Sequence, residues 1–297
     1  MPANVTEISS TQSAMKNWAG VGLVVASTIG FSTSIIFTRL VSGMEVMNIA
    51  FFRSLVAFLF FCAFIPWHPE MLNLRAYRPS IKYLIGLGCS VGATCILYIY
   101  ALRHTTAANS VLLNNTAVVY VVLLAPLLLK EVRPRHAWLS LSLAILGILL
   151  ITDPTQFDWQ SGSTLGIVAA FFSGITYAFV ILFGRLLGNS VNGITQTWWS
   201  TGVTALLAAP SVVGMSWEAV VPNIPYLIAL GIIALGVPYL FFFLGLQRIN
   251  AQVAGFAVLL EPVLGVLIGI SLYQEIPTLL GFLGIGLILS SIFLISQ

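Results

Sequence analysis

The sequence is unusually poor in charge. Asp, Glu, Lys and Arg make up 7% of its 297 residues, whereas hydrophobic residues make up 59%. An ordinary soluble domain contains about 25% charged residues, because charged and polar side chains must cover its surface. The composition therefore excludes a soluble enzyme and an intrinsically disordered protein. The net charge of +3 is too small to favour nucleic acid as a partner.

Cysteine and histidine are also scarce, with three residues of each type. The cysteines lie inside apolar runs and have neither the spacing of a metal site nor that of a disulfide framework. The histidines lie near predicted loops and form no HExxH motif. We therefore expect neither a metal ion nor a cofactor.

Long apolar runs are what the sequence has instead. Lipid must be the solvent for most of this surface, so every backbone polar group needs a partner within the protein, in a helix or a closed barrel. The runs are about 20 residues long, which is the length of a membrane-crossing helix. We number the ten predicted spans 1 to 10 in chain order: Trp18–Val41, Glu45–Ile65, Ile81–Leu102, Ala108–Leu129, Arg135–Ile151, Thr164–Leu187, Gly193–Val213, Pro222–Leu246, Asn250–Tyr273 and Pro277–Ile295.

The distribution of Lys and Arg predicts the orientation of the chain. Nine of them fall on the side of the bundle that holds the N-terminus, which we call the basic end, and Arg39 and Arg103 fall on the other side. Cytoplasmic loops of membrane proteins are enriched in basic residues. We therefore predict that both termini are cytoplasmic. The residues of the basic end are Lys16, Arg75, Arg78, Lys82, Lys130, Arg133, Arg135, Arg185 and Arg248.

The two halves of the chain indicate an internal repeat, with copies at 18–151 and 164–295. At an offset of 144 residues Glu131 aligns with Glu275 without a gap, and at an offset of 146 Arg39 aligns with Arg185. Five spans in each copy is an odd number, so the second copy must be inverted in the membrane. Inverted repeats are the usual construction of secondary transporters. We interpret Glu131 and Glu275 as caps of the helices that follow them, because each precedes a proline at a helix start.

Several short motifs together resemble one known family. They are Phe51-Phe52-Arg53-Ser54 in span 2, Leu129-Lys130-Glu131 after span 4, Glu261-Pro262-Val263 in span 9 and Gln274-Glu275 after it. This set is similar to the EamA-type members of the drug/metabolite transporter superfamily. The resemblance implies ten helices in two inverted five-helix repeats, with both termini cytoplasmic. It also implies transport of amino acids, other metabolites or drugs, usually outward in bacteria. One departure is Val118, which stands where the second copy has Pro262, and it predicts a weaker kink in span 4 than in span 9.

Two charged residues inside the spans are the first candidates for a site, because a charge in lipid is costly. Arg53 is predicted about 12 Å and Glu261 about 14 Å below the outer edge, from the rise of 1.5 Å per helical residue. We therefore predict that the two lie close enough to interact directly, through water or through a substrate. Two alternatives stay open: Arg53 extends to the interface or joins a structural network, and Glu261 is a protonated acid bonded to a neighbouring helix.

Polar residues near mid-membrane complete the candidate binding set. Asn114 and Asn115 in span 4 need hydrogen-bond partners, so at least one of them must face the interior of the bundle. Tyr98 in span 3 and Tyr177 in span 6 are predicted to line a central cavity.

Three prolines inside spans are candidate hinges. Pro126, Pro238 and Pro262 cannot donate a hydrogen bond to the carbonyl four residues earlier, which in span 9 is that of Val258. A helix can kink at such a position, and the freed carbonyl can face a cavity.

The sequence thus favours an all-α, multi-pass protein of the inner (plasma) membrane. We expect a secondary transporter, an exporter of small organic solutes, that works by alternating access through a cavity between the repeats. The alternatives are a channel, which would need a polar lining along its whole length, or a membrane-embedded enzyme or scaffold. An enzyme would need a reactive constellation of side chains that the spans lack. Glycines in span 10 leave a homodimer open.

Overall fold

The computed structural model describes residues 4–105, 107–151, 164–213, 215–273 and 278–295. Apart from turns, these residues are helical, as predicted, and a helix or pair of helices occupies each predicted span. Seven spans are single helices. They are Asn4–Leu40, Val46–Cys62, Ile81–His104, Ala137–Ile151, Thr164–Leu187, Gly193–Ala208 and Leu279–Ile295, which are spans 1, 2, 3, 5, 6, 7 and 10.

The other three spans change their helical geometry near the middle. Span 4 consists of Ala107–Asn115 and Ala117–Leu128, and span 9 consists of Ala251–Ala257 and Leu260–Tyr273. Span 8 contains a π-helical segment between two α-helices. Its parts are Ile224–Gly231, Ile232–Gly236 and Val237–Leu246.

Length and hydropathy support a membrane location for most of these helices. Six stretches among the described residues are long and apolar enough to cross a membrane, and spans 2, 5 and 10 are shorter apolar helices. Span 7 is more polar: its Thr197, Thr201 and Thr204 are almost completely buried, and each hydroxyl donates to the carbonyl four residues earlier. Since these three hydroxyls bond within the helix, they can be buried without partners from neighbouring spans.

Contacts between the spans occur in symmetric pairs. Span 3 packs along span 6, and span 8 packs along span 1. Span 2 packs on span 7, and span 5 packs on span 10. If each span of the first copy corresponds to the span five places later, a two-fold rotation exchanges the first two contacts and leaves the last two unchanged. The packing thus has the symmetry that two inverted repeats require.

Glycines allow the contact between spans 5 and 10. A Cβ atom on Gly284 would lie 2.6 Å from the Gly147 carbonyl oxygen, and one on Gly147 would lie 2.8 Å from that of Gly284. Small residues let membrane helices approach this closely. Gly284 is therefore used inside the chain, whereas Gly286 faces open space, and the homodimer stays a prediction.

Candidate functional site

A cavity lies in the middle of the bundle, where side chains from both halves of the chain meet. Its volume is about 60 Å³, which is room for a few water molecules. Among the described residues, seven spans contribute to its wall, and spans 5, 7 and 10 do not. The lining residues are Phe31, Ser34, Arg53, Thr94, Cys95, Tyr98, Asn114, Tyr177, Ala234, Leu235, Tyr239 and Glu261.

The two intramembrane charges share this cavity. Arg53 from span 2 and Glu261 from span 9 both line its wall, although they are 208 positions apart in the sequence. They do not form an ion pair: the two ion pairs among the described residues lie elsewhere. Arg53 is 6% exposed, and its Nε atom has no hydrogen-bond partner. A guanidinium and a carboxyl group therefore face one space without forming a direct ion pair.

Three of the four predicted polar residues also line the cavity. Tyr98 and Tyr177 contribute phenol groups from spans 3 and 6. Asn114 is held by a hydrogen bond of 3.0 Å, in which Ser173 Oγ donates to Asn114 Oδ1. Asn115 is not part of the lining; its Nδ2 donates to the Val111 carbonyl of its own helix at 2.8 Å. The structure therefore brings together five of the six predicted binding residues.

Sequence reasoning missed other lining residues, most notably Tyr239 and Thr94. Tyr239 follows Pro238 in span 8, and its ring packs edge-on against Phe31 of span 1 with centroids 5.0 Å apart. Thr94 Oγ1 donates to Thr176 Oγ1 of span 6 at 2.8 Å. The position of Tyr239 beside an intramembrane proline was the one available signal. Thr94 had none, because an isolated Thr in a helix most often bonds its own backbone.

Span 4 is interrupted at Thr116, next to the cavity. Thr116 N donates to the Leu113 carbonyl at 3.3 Å and Val119 N donates to the Thr116 carbonyl at 2.9 Å, so both bonds span three residues instead of four. The side chains of Thr116 and Asn115 donate to carbonyls of the preceding turn. The predicted hinge Pro126 does not interrupt the helix, which continues from Ala117 to Leu128.

Span 9 is interrupted at Val258 and Leu259, just before Glu261. The expectation of a free Val258 carbonyl is wrong: Glu261 N donates to it at 2.8 Å, which replaces the bond that Pro262 cannot make. In span 8 the π-helical segment Ile232–Gly236 directly precedes Val237 and Pro238. This wider turn accommodates the lack of a backbone N–H group at Pro238. Whether these positions act as hinges stays a prediction.

Glu131 stabilises a different helix from the one expected. Its Oε2 accepts a hydrogen bond from Ala251 N at 2.9 Å, at the start of span 9, and its Oε1 accepts one from Arg185 Nε at 2.8 Å. The interpretation of Glu131 as the cap of span 5 is therefore wrong, because span 5 begins only at Ala137. Its repeat partner Glu275 lies outside the described residues.

The chemistry of the cavity suits binding better than bond-making. It offers one guanidinium, one carboxyl group, three phenols and an amide. Within the described part of the chain, His, Cys, Asp and Glu form no group that could hold a metal ion. Such a lining can hold a small molecule that carries charges of both signs.

Comparison with known proteins agrees with this architecture. The model of the EamA-like transporter family matches residues 18–153 and again 164–297. An uncharacterised transporter of Archaeoglobus fulgidus is 27% identical over 277 residues, which is 92% of this chain and 94% of the relative. The pseudopaline exporter CntI of Pseudomonas aeruginosa is 25% identical over 227 residues, which is 73% of this chain and 75% of the relative.

A solved crystal structure shares the fold. It superposes with a TM-score of 0.73 and covers 96% of both chains at 16% sequence identity. The two family matches together cover almost the whole sequence, and each contains five of the ten spans. This chain is therefore a multi-pass membrane transporter that belongs to the EamA-like transporter family.

Proposed function

We propose that the protein is a secondary transporter that exports a small zwitterionic solute, such as an amino acid or a related metabolite, across the inner (plasma) membrane. The observation that carries the proposal is that Arg53 and Glu261 line one cavity without pairing to each other. A carboxylate of the solute binds Arg53, whose planar guanidinium suits bidentate recognition. An ammonium group binds Glu261.

The burial of Arg53 and the position of Glu261 inside span 9 support this assignment. An unpaired charge in the membrane interior is costly and is retained where it has a function. Arg53 has an unpartnered Nε at 6% exposure, so a bound carboxylate would supply the missing acceptor. Tyr98 and Tyr177 line the same cavity as Glu261, and aromatic faces also attract ammonium groups.

The small volume of the cavity supports alternating access rather than a continuous pore. Binding sites for organic molecules occupy about 300 Å³ or more, whereas this cavity measures about 60 Å³. The helices must therefore separate to admit a solute and close again behind it. The outward direction rests on the pseudopaline exporter among the relatives.

The test is counterflow in proteoliposomes without ATP, with three classes of solute: zwitterionic amino acids, the corresponding amines and the corresponding carboxylic acids. We expect exchange of the zwitterions. The exchange rate should fall about tenfold or more in Arg53→Ala, which corresponds to the free energy of a charged hydrogen bond. Arg75→Ala, at an exposed position near the membrane surface, is the matched control and should transport normally. Equal transport by Arg53→Ala and the unmodified protein would refute the binding site.

A further inference from the structure

Four helix ends meet at the basic end of the bundle, below the cavity. Glu131 follows span 4, Arg185 lies in the last turn of span 6, Leu246 ends span 8 and Ala251 begins span 9. Spans 4, 6, 8 and 9 all contribute side chains to the cavity wall. This junction therefore lies where those four walls converge.

Glu131 and Arg185 connect all four ends. Arg185 Nε donates to Glu131 Oε1 at 2.8 Å, and Arg185 Nη1 donates to the Leu246 carbonyl at 3.1 Å. Glu131 Oε2 accepts from Ala251 N at 2.9 Å. Glu131 belongs to the first repeat and its two partners, Arg185 and Ala251, belong to the second, so these bonds join the two repeats at one end of the bundle.

The ion pair is largely shielded from solvent. The side chain of Glu131 is 9% exposed and that of Arg185 is 21% exposed. Ions in such a setting are stable either paired and dry or separated and hydrated, and a partly separated dry state is costly. A junction of this kind has two favourable arrangements, closed without water and open with water, as a gate requires.

A second contact closes the same end between spans 2 and 7. Met71, in the connection after span 2, is completely buried and packs with Phe61 and Ile194. A methionine from a loop thus fills the space between the two helices. The basic end is sealed both by this apolar contact and by the ionic junction.

We infer that the Glu131–Arg185 pair is the gate that closes the cavity towards the basic end, and that it must separate for solute to enter from that side. The inference rests on the proposed transport cycle and adds the element that controls access from one side. Separation releases the start of span 9 from the end of span 4. Elsewhere along their lengths, span 9 carries Glu261 and span 4 carries Asn114. Opening of the gate and widening of the cavity are thereby coupled.

Cys95 provides a native reporter for the test, because it lies on the cavity wall and is 7% exposed. The protein is placed in right-side-out and inverted membrane vesicles and treated with a charged, membrane-impermeant methanethiosulfonate. Labelled peptides are then identified by mass spectrometry, which separates Cys95 from Cys62 and Cys89. Because Cys95 is nearly buried, an increase in its labelling rate reports opening.

We expect Glu131→Gln and Arg185→Gln each to raise the labelling rate of Cys95 from the basic end about fivefold or more, the lower range of coupling between sites. Labelling from the opposite side should not rise. Glu131→Asp, which keeps the charge but shortens the reach, should change the rate in the same direction by less. The charge exchange Glu131→Arg with Arg185→Glu should restore the rate only in part, because the exchanged side chains can neither accept from Ala251 N nor donate to the Leu246 carbonyl.

Glu70→Gln is the matched control. Glu70 Oε1 lies 2.9 Å from His68 Nδ1, and this hydrogen bond lowers the pKa of Glu70. Both members of that pair belong to the first repeat and are exposed, so removing the charge should leave Cys95 labelling unchanged.

Two results would overturn the gate. One is unchanged labelling of Cys95 in well-folded Glu131→Gln, Arg185→Gln and Glu131→Asp proteins. The other is an equal increase from both sides, because that would indicate general loosening. Labelling does not depend on the solute, so transport with unchanged labelling rejects the gate alone. One-sided labelling without transport of any tested solute rejects the proposed solute class and leaves the gate standing.

Discussion

Spans 4 and 9 are equivalent helices of the two repeats, and both are interrupted at the same level by different chemistry. At the offset of 144 residues, Thr116 aligns with Leu260, one position after the turn at Val258 and Leu259. In span 9 Pro262 removes the donor, and the interruption is built into the backbone. In span 4 the side chains of Asn115 and Thr116 supply hydrogen bonds that compete with the helix.

The difference matters because only one of the two interruptions is reversible. Proline cannot regain an N–H group, so the bond from residue 262 to the Val258 carbonyl is missing in every conformation of span 9. An amide or hydroxyl can exchange a carbonyl acceptor for another partner at a net cost of about 1 kcal/mol. We therefore expect span 4 to be the helix that straightens and bends during transport, and span 9 to be the fixed reference.

The largest expected effect follows from the packing of span 6 against the interruption in span 4. A Cβ atom on Gly174 would lie 2.6 Å from Thr116 Oγ1 and 3.1 Å from the Asn114 carbonyl. Gly174→Val should therefore lower the stability by about 3 kcal/mol, the upper range of overpacking, and abolish transport. Thermal unfolding in detergent measures the first effect. Gly286→Val, where a Cβ meets open space, is the control, and equal Tm values for both would contradict the packing argument.

Pro262→Ala should convert span 9 into a more regular helix. Restoring the N–H group lets residue 262 donate to the Val258 carbonyl, and a proline inside a helix costs about 3 kcal/mol. We expect an unchanged or higher Tm together with transport reduced about tenfold, the effect of about 1.4 kcal/mol on a conformational step. Hydrogen exchange across Val258–Pro262 should slow, and unchanged exchange would show that the turn does not need the proline.

Asn115→Ala combined with Thr116→Val should straighten span 4 with a smaller effect. Two side-chain hydrogen bonds of about 1 kcal/mol each are lost, and the regained helical bonds offset most of that. We expect slower hydrogen exchange around Leu113–Val119. Transport should fall about threefold, because the net change in free energy from these hydrogen bonds is less than 1 kcal/mol. The control is Thr33→Val, which removes a similar bond to the Gly30 carbonyl in an uninterrupted helix. Loss of stability without slower exchange would mean that these side chains only stabilise an interruption imposed by span 6.

The sequence was sufficient for the ten spans and for placing Arg53 and Glu261 on one cavity. Both follow from the cost of polar groups in lipid, which limits where a helix can end and where a charge can be tolerated. The choice between Asn114 and Asn115 could not be made. Adjacent residues point about 100° apart around a helix, and which of them faces the cavity depends on how span 4 packs against span 6.

Two other features depended on neighbours that are distant in sequence. Pro126 was the visible helix breaker in span 4, but the interruption arises ten residues earlier, at Thr116. Glu131 has the local features of a cap for the next helix, yet it binds Ala251, which is 120 residues away. Local propensity is the same for both possible partners of Glu131, and tertiary packing decides between them.

The symmetric packing also joins helices of the two repeats into pairs. Span 3 packs on span 6 and span 8 packs on span 1. Span 5 packs on span 10 through facing glycines. Each of these pairs takes one helix from each half of the polypeptide, so the two copies of the ancestral sequence are interwoven. A protein divided at the connection between them would consist of two fragments in which these helices lack their counterparts. Neither fragment would contain a complete pair, and only their reassembly would restore one.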